Sequence, residues 1–388
     1  MLLIENTEDL SQLCNRLSKN DFVCVDLEFL REHTYFAKPC LIQIASIAEA
    51  AAIDPLAENI DLNPFFELMT NNEVTKVFHS GRQDIEIIYN LSHKIPSPLF
   101  DTQIAAQALG FGESISYENL VHHILNIELD KSSRLSDWSR RPLSEAQLNY
   151  ALSDVTHLVN IYQSIISSLT KENRLDWISD ELKNLADEAN YKIEPYNIWQ
   201  KMRHRSHSPL FLTTLRELAA WRELRAINKD IPRQSFIKDD VLINICAAHP
   251  ACKEELATVR GMRHDIAIGK IGDEIIDVMQ NIKELPKDLY VTVPKIKDSF
   301  SGDGPLLELL KMLLKIVAQE QRIVPRLIAS EDDLKSFCID SNTPTPFMSG
   351  WRYEIFGRPA QDILKGETAI SYDAKHHKIK FFKISKNI

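Results

Sequence analysis

The chain has 388 residues, 44% of them hydrophobic and only 11 of them glycine, which is enough to bury the cores of two or three globular domains. This composition excludes a disordered or fibrous protein and favours one rich in helix. Six scattered cysteines without a Cys-x-x-Cys pair predict reduced thiols in a cytoplasmic protein. The start of the chain lacks the pattern of a signal peptide, and no apolar stretch approaches membrane-spanning length, so we expect no membrane partner.

The net charge of −10 is unevenly distributed along the chain. Residues 1–170 carry 11 Lys and Arg against 23 Asp and Glu, whereas the remainder carries 34 against 32. An acidic first part is compatible with chemistry in which carboxylates hold metal ions. A polyanionic partner would then be held by local basic patches rather than by the overall field of the protein.

The first 170 residues predict an α/β domain with a mixed sheet, because adjacent strand patterns come first and strands then alternate with helices. A helix over 7–18, capped by Asn6 or Thr7, opens the chain. Strands are predicted over 22–29, 40–47, 50–54 and 74–79, and further helices over 61–70, 84–91, 102–109, 117–126 and 144–169.

From about residue 171 the pattern is all helical. A connecting region over 171–207 ends in a basic cluster at 201–207, and the Ser-Pro that follows marks a domain boundary. Pro232-Arg233 and Pro325-Arg326 each stand seven residues ahead of an Asp-Asp pair. This spacing predicts a duplicated helical domain with a period of 93 residues, whose copies occupy 208–288 and 300–374.

The tail over 375–388 carries five lysines and no acidic residue. Such a segment can contact a phosphate backbone. A solvated and partly disordered end is the interpretation that we favour, since disorder concentrates at chain termini and a run of like charges is usually solvated.

Two carboxylates interrupt the apolar run of the strand over 22–29. Asp26 and Glu28 are two residues apart, so their side chains point to the same face, about 6 to 7 Å apart along the strand. Buried like charges repel unless something neutralises them, and a divalent cation is the usual partner. Oxygen ligands favour Mg²⁺ or Mn²⁺ over Zn²⁺. The alternative is a strand end that bears two solvated acids.

Three further signals accompany this pair, and each also has an ordinary structural interpretation. Asp84 stands at the start of a predicted helix, where an acid commonly serves as a cap. Tyr150 and Asp154 lie on one helix face at the i, i+4 spacing, which is a common pair. Asp101 is either the cap of the helix that follows it or a support for the site from outside the metal ligands.

Together the residues give carboxylates in the order Asp, Glu, Asp, Asp, with a tyrosine four residues before the last. This order resembles the DEDD exonuclease superfamily in its tyrosine-bearing branch. Three stretches resemble the ribonuclease D family more narrowly, namely Val25-Asp-Leu-Glu-Phe29, Arg31-Glu-His-Thr-Tyr35 and Leu41-Ile-Gln-Ile-Ala45. The duplicated helical half looks like a pair of HRDC domains. The resemblance therefore implies a ribonuclease H-like exonuclease fold followed by two small all-α HRDC domains.

Two positions depart from the family patterns. Gln83 stands where a second acid often precedes Asp84, which has no consequence if Asp84 is the ligand. In the second HRDC-like copy Leu314 occupies the position that corresponds to Trp221 in the first. The function of that copy is thus less certain than its fold.

The resemblance implies a metal-dependent 3′→5′ exoribonuclease that releases nucleoside 5′-monophosphates with two divalent ions, Mg²⁺ or Mn²⁺. It assigns metal binding to Asp26, which would bridge the two ions, and to Glu28, Asp84 and Asp154. Tyr150 would orient the attacking water, because a phenol with a pKa near 10 is a poor base at neutral pH.

The family resemblance also implies an RNA partner, in particular the single-stranded 3′ end of tRNA precursors. Phe29, Tyr35 and Phe36 can supply surfaces for bases, with core packing the alternative for at least one of them. The candidate phosphate contacts are Arg134, Arg140, Arg141 and the cluster at 201–207, each of which can equally be a solvated basic group. We expect a monomer, since no interface pattern stands out.

Two other functions remain open at this stage. A proofreading DNA exonuclease is disfavoured because no phosphate-binding Gly-x-x-x-x-Gly-Lys motif of a partner polymerase or helicase occurs. A catalytically silent RNA-binding scaffold would not require the complete carboxylate set.

Overall fold

The computed structural model describes residues 2–130, 136–292 and 304–384. Its first half contains a six-stranded mixed sheet with the strand order β1-β4-β3-β2-β5-β6. The strands are β1 (Leu3–Ile4), β2 (Phe22–Leu30), β3 (Lys38–Ala45), β4 (Ala50–Ile53), β5 (Thr75–Phe78) and β6 (Leu99–Asp101). Strand β3 is antiparallel to both β2 and β4, and the other neighbours are parallel. The predicted mixed sheet is confirmed, and β1 and β6 are additions to the four predicted strands.

Six helices cover the two faces of the sheet. They are α1 (Thr7–Leu17), α2 (Asn63–Met69), α3 (Arg82–Ser92), α4 (Thr102–Ala108), α5 (Tyr117–Leu125) and α6 (Glu145–Lys171). Helix α1 begins where predicted, because the Asn6 side chain accepts a hydrogen bond from the amide of Asp9 at 2.9 Å. Helix α6 begins with a reciprocal capping box between Ser144 and Gln147.

Strand β2 contributes to both cores of this domain through its alternating side chains. Val23, Val25 and Leu27 are buried on the face covered by α1 to α3. Phe22 and Cys24 are buried on the opposite face, in a cluster that includes α4, α5 and α6. The alternation continues along the strand, so the next two positions on the α6 face are Asp26 and Glu28.

Helices form the second half of the chain. A short helix α7 (Ser179–Leu185) precedes the first helical domain, which comprises α8 (Pro209–Lys229), α9 (Arg233–Phe236), α10 (Asp239–Ala248), α11 (Lys253–Ala257), α12 (His264–Ile268) and α13 (Lys270–Glu284). The second helical domain comprises α14 (Pro305–Gln321), α15 (Pro325–Ile328), α16 (Glu331–Ile339), α17 (Gly350–Arg352), a π-helical turn (Tyr353–Gly357) and α18 (Arg358–Leu364). The order of a long, a very short and a medium helix at α8–α10 recurs at α14–α16.

The first helical domain contacts the loop that follows β2 through polar groups. The Tyr35 hydroxyl donates a hydrogen bond to Glu223, whose carboxylate also pairs with Arg233 at 3.0 Å. Asp230 accepts hydrogen bonds from the amides of Tyr35 and Phe36 at 3.0 and 3.1 Å. These two aromatic residues therefore belong to an interface between domains.

The second helical domain is joined to the first half by stacked aromatic and guanidinium groups. The indole rings of Trp177 and Trp351 are parallel, with centroids 4.3 Å apart. The Arg174 guanidinium lies over the Trp177 ring, 4.7 Å from its centroid. The Arg352 guanidinium lies over the Trp351 ring at the same distance. Stacked rings and cations over ring faces are both favourable contacts.

Arg352 also makes the polar contacts of this joint. Its buried guanidinium donates to the carbonyl of Leu327 at 2.8 Å and pairs with Asp180 at 2.6 Å and Glu181 at 2.5 Å. Both acids lie in α7, so Arg352 ties the second helical domain to the segment that follows the sheet. We call these contacts the Arg352 joint.

The second helical domain also completes a core of the first half. Val324 and Leu327 are buried in the apolar cluster beneath α4 and α6, and the amide of Val324 donates to the carbonyl of Gln107 at 3.3 Å. Gly110 has a φ of +81°, and a Cβ there would lie 2.5 Å from the carbonyl oxygen of Arg322. Only glycine permits both this conformation and this close approach.

The end of the chain differs from our expectation. Strand β8 (Lys378–Lys383) pairs with β7 (Thr368–Asp373) in a hairpin, whereas the sequence favoured a solvated, partly disordered tail over 375–388. Residues 385–388 of that tail lie outside the described residues. Phe381 packs against the core of the second helical domain, and Lys380 pairs with Asp373 at 2.6 Å. Cross-strand pairing of this kind depends on contacts that a reading of lysine content does not detect.

All six cysteines are free thiols, and four of them are buried. Within the described ranges, helices are either too short or too polar to cross a bilayer.

Candidate active site

Three of the predicted ligands meet between strand β2 and helix α6. Carboxylate oxygens of Asp26, Glu28 and Asp154 all lie within 4.8 Å of one another. The strand supplies the first two from one face, as its alternation requires, and the helix that covers this face supplies the third. Asp26 and Glu28 are thus partly buried and share one face of the sheet with a third carboxylate.

Two tyrosines, one from α6 and one from α5, contact Asp154. The Tyr150 phenol, one turn earlier, hydrogen-bonds the Asp154 carboxylate, as the i, i+4 spacing allows. The hydroxyl of Tyr117, at the start of α5, donates to the main-chain oxygen of Asp154. Trp138 lies beside Tyr150 with ring centroids 6.1 Å apart. The phenol that was expected to orient a water thus lies at the carboxylate cluster.

Asp84 is buried behind this cluster, in the first turn of α3. It does not belong to the group of three converging carboxylates. Burial first, and then the charges of Asp26, Asp101 and Glu28, raise the pKa of Asp84 well above its usual value. The fourth acid is therefore close enough to interact with the others electrostatically.

Asp101 performs both of the roles that the sequence left open. Its carboxylate caps α4 by accepting from the amides of Gln103 and Ile104 at 2.8 and 3.2 Å. It also accepts from the amides of Ser80 and Gly81 at 3.2 and 2.8 Å, which lie just ahead of α3. The second pair of bonds fixes the turn from which Asp84 projects, so Asp101 supports the site from outside.

Burial, joined at Asp154 by repulsion from a neighbouring charge, raises the pKa of two acids in the cluster. Burial, followed by the neighbouring Asp26 charge, raises the pKa of Asp154 to about 8, and burial raises the pKa of Asp26 to about 6. Among the described residues, no arginine or lysine forms an ion pair with either acid. An oxygen-only set of close carboxylates fits a hard divalent ion such as Mg²⁺ or Mn²⁺.

A cavity of about 360 Å³ opens over the carboxylates. Its lining includes Asp26, Glu28, Tyr150 and Asp154 together with residues that the sequence analysis did not select, among them His79, Tyr117, Glu118 and Asp130. His79 lies five residues before Asp84 in the sequence. Its position in the same motif could have identified it as a candidate site residue. Tyr117 had no such signal, since its contact is with a residue 37 positions away.

The structure corrects one candidate phosphate contact. Arg141 makes two bonds to the buried Asp54 carboxylate at 2.5 and 2.6 Å and a third to the carbonyl of Cys40 at 2.6 Å. These bonds occupy its guanidinium, so Arg141 is a structural arginine. The side chain of Arg140 is 83% exposed, and Arg134 lies outside the described residues.

The aromatic candidates near β2 are divided between packing and an interface. Phe29 packs against the core on the α1–α3 face. Tyr35 and Phe36 contact the first helical domain and line a second cavity of about 290 Å³ together with Arg31 and Arg233. Core packing was the alternative that we weighed for at least one of them, and Phe29 follows it.

Comparisons with known proteins agree with this geometry. Residues 1–170 match the model of the 3′-5′ exonuclease family, and residues 211–279 match that of the HRDC domain. The ribonuclease D of Sphingobium indicum is 42% identical over 371 residues, which cover 95% of this chain and 96% of the relative. The ribonuclease D of Granulibacter bethesdensis is 39% identical, with 97% and 96% covered.

The chain belongs to the ribonuclease D family. It is therefore a 3′→5′ exoribonuclease, and membership of the family implies divalent metal ions. Its fold is similar to that of Escherichia coli RNase D, with a TM-score of 0.80 at 25% identity over 94% of this chain and 98% of the other. One HRDC domain follows the exonuclease domain, and it coincides with the first helical domain.

Proposed function

We propose that this family member trims 3′ extensions of tRNA precursors and other small structured RNAs, using two Mg²⁺ or Mn²⁺ ions and releasing nucleoside 5′-monophosphates. The single observation that carries the proposal is the convergence of three carboxylates within 4.8 Å at the base of an open cavity. A cluster of that kind binds divalent ions through oxygen.

Each site residue receives a role in this proposal. Asp26 would contact both ions, Glu28 and Asp154 would hold one of them, and Asp84 would hold the other directly or through water. The ions would lower the pKa of a bound water and neutralise charge that develops on the phosphate. The Tyr150 phenol would orient that water by hydrogen bonding, since its bond to Asp154 already places it at the cluster.

The substrate assignment depends on the shape of the site and on a relative. An open cavity lined by the carboxylates can admit a single-stranded terminus. The E. coli relative is described as an exoribonuclease involved in structured RNA processing. Arg140 and the exposed basic residues of 201–207 are available for contacts with phosphates outside the cavity.

The remaining assignments concern domain identity and context. The second helical domain would be a diverged HRDC domain, because the helix order and the Pro-Arg to Asp-Asp spacing of the first recur in it. We propose that the protein belongs to the tyrosine-bearing branch of its superfamily, on the basis of Tyr150. We further propose that it acts as a cytoplasmic monomer.

A time course on a 3′-extended tRNA precursor labelled at its 5′ end tests the proposal. With Mg²⁺ or Mn²⁺ we expect a ladder that shortens from the 3′ end and stalls near the acceptor stem, and with EDTA we expect intact RNA. A matched DNA oligonucleotide should be degraded more slowly. Folded protein that leaves the RNA intact with either metal would refute the proposal and favour a silent scaffold.

A further inference from the structure

Gln43, in the middle of strand β3, is a polar side chain without a visible role. It is fully buried, and neither its Nε2 nor its Oε1 has a hydrogen-bond partner among the residues that the structure describes. A buried amide that forms no hydrogen bond has lost its bonds to water without replacement, which destabilises the fold. A methionine or leucine would fill the same space without that cost, so the amide calls for a functional explanation.

The strand register places Gln43 beside the catalytic cluster. Gln43 lies directly opposite Asp26 in the antiparallel pairing of β2 with β3. Residues opposed in this way project to the same face with Cβ atoms about 4.5 to 5.5 Å apart. On its other side Gln43 is opposite Ala52 of β4, which offers only a methyl group. The cross-strand neighbour that can accept a hydrogen bond from the Gln43 side chain is thus the carboxylate of Asp26.

The chemistry of a carboxamide suits this position. A carboxylate that binds a metal ion is normally held by a hydrogen bond from a neighbouring group, and losing that bond weakens the metal site. The amide nitrogen of glutamine carries two N–H donors and no charge. It can therefore orient Asp26 without neutralising it, whereas a lysine or arginine there would repel the incoming cation.

We propose that Gln43 is a positioning residue, whose side-chain amide donates a hydrogen bond to the Asp26 carboxylate when the site binds divalent metal. The inference rests on the proposed role of Asp26 as a metal ligand. It adds a residue from β3, a strand that supplies none of the predicted ligands.

Replacing Gln43 by methionine in the full-length chain tests this role, because methionine keeps the length of the side chain and removes both polar groups. We expect the melting temperature in EDTA to stay equal or rise, since two unpaired polar groups leave the interior. We expect the Mn²⁺ concentration at half-saturation, measured by calorimetry without RNA, to rise about 10- to 100-fold. At saturating Mn²⁺ the KM for RNA should be unchanged.

Two further variants complete the design. Thr345→Val is the matched control, because Thr345 also buries a hydroxyl without a partner but lies in the second helical domain; its Mn²⁺ binding should equal that of the parent. Gln43→Leu removes the amide with a different shape and separates a packing fault from loss of the donor. Failure of both Gln43 variants to fold would overturn the inference, because it would assign the amide to the fold.

The outcomes distinguish this inference from the proposed function. A parent chain that shows no Mn²⁺-dependent heat and no rise in melting temperature would refute the metal site itself. A parent chain that binds Mn²⁺, together with a Gln43→Met variant whose half-saturating concentration stays within twofold, would overturn the role of Gln43 alone.

Discussion

Two groups of carboxylates in this molecule differ in their neighbours. At the Arg352 joint, Asp180 and Glu181 both face one buried guanidinium at 2.5 to 2.6 Å. In the active site, Asp26, Glu28 and Asp154 converge within 4.8 Å, and mutual repulsion adds to burial in raising the pKa of Asp154. The acids of the joint pair with a cation of the protein itself, whereas no arginine or lysine among the described residues pairs with Asp26 or Asp154. Clustered acids without a cationic partner in the protein therefore indicate a functional site, whereas acids paired with an arginine indicate a structural contact.

The largest expected effect comes from removing one charge of the active site. Asp154→Asn should lower kcat by at least about 10³-fold, because the variant loses a metal ligand. Its free energy of unfolding in EDTA should stay equal or rise, since one repelling charge has gone. Single-turnover assays and denaturant titrations measure the two quantities. A wild-type rate would contradict the assignment of this site.

Removing the cation of the Arg352 joint should instead lower the stability of the protein. Arg352→Met leaves Glu181 and the Leu327 carbonyl without their partner, and we expect the free energy of unfolding to fall by about 3 kcal/mol. Arg358→Met is the control, because Arg358 pairs with Glu354 on an exposed helix surface and should change stability by less than about 0.5 kcal/mol. Equal losses in the two variants would refute the contrast between buried and exposed pairs.

Tyr150→Phe separates orientation from metal binding within the site. We expect kcat to fall by about 10²-fold, because the water loses its hydrogen-bonding partner. Calorimetry should show unchanged Mn²⁺ affinity, since the phenol is not among the carboxylate ligands. An unchanged rate would mean that another group orients the water.

Metal ions should stabilise the site that lacks a protein cation. Mn²⁺ at ten times its dissociation constant should raise the free energy of unfolding of the parent chain by about 1.4 kcal/mol, and EDTA should reverse this gain. Asp154→Asn should lose most of the effect, whereas Arg352→Met should retain it. A gain of the same size in the Asp154 variant would place the ion elsewhere.

Much of the α/β half could be predicted from local patterns, because its elements are long and strongly periodic. The predicted helix over 7–18 is observed at Thr7–Leu17, and the predicted strand over 22–29 at Phe22–Leu30. Strand β1 has two residues, which is too few for any periodicity to register. The hairpin of β7 and β8 was missed because pairing and the packing of Phe381, rather than composition, determine it.

The site divides in the same way between local and distant information. Alternation along a strand was sufficient to place Asp26 and Glu28 on one face, and helical spacing was sufficient to pair Tyr150 with Asp154. Only the family resemblance predicted that these two pairs of residues lie close together. Arg141 was wrong as a phosphate contact because its partner, Asp54, is 87 residues away. The lack of a hydrogen-bond partner for the Gln43 side chain likewise depends on tertiary packing, which the sequence does not show.

The burial of Val324 and Leu327 beneath α4 and α6 has a consequence for synthesis of the enzyme. Chains fold from the amino terminus as they leave the ribosome, yet one core of the nuclease half is completed by residues more than 150 positions beyond its last helix. A nascent or proteolytically shortened chain would leave apolar surface open beside the catalytic helix. The apolar packing around α4 and α6 is therefore completed only after Val324 and Leu327 have been translated.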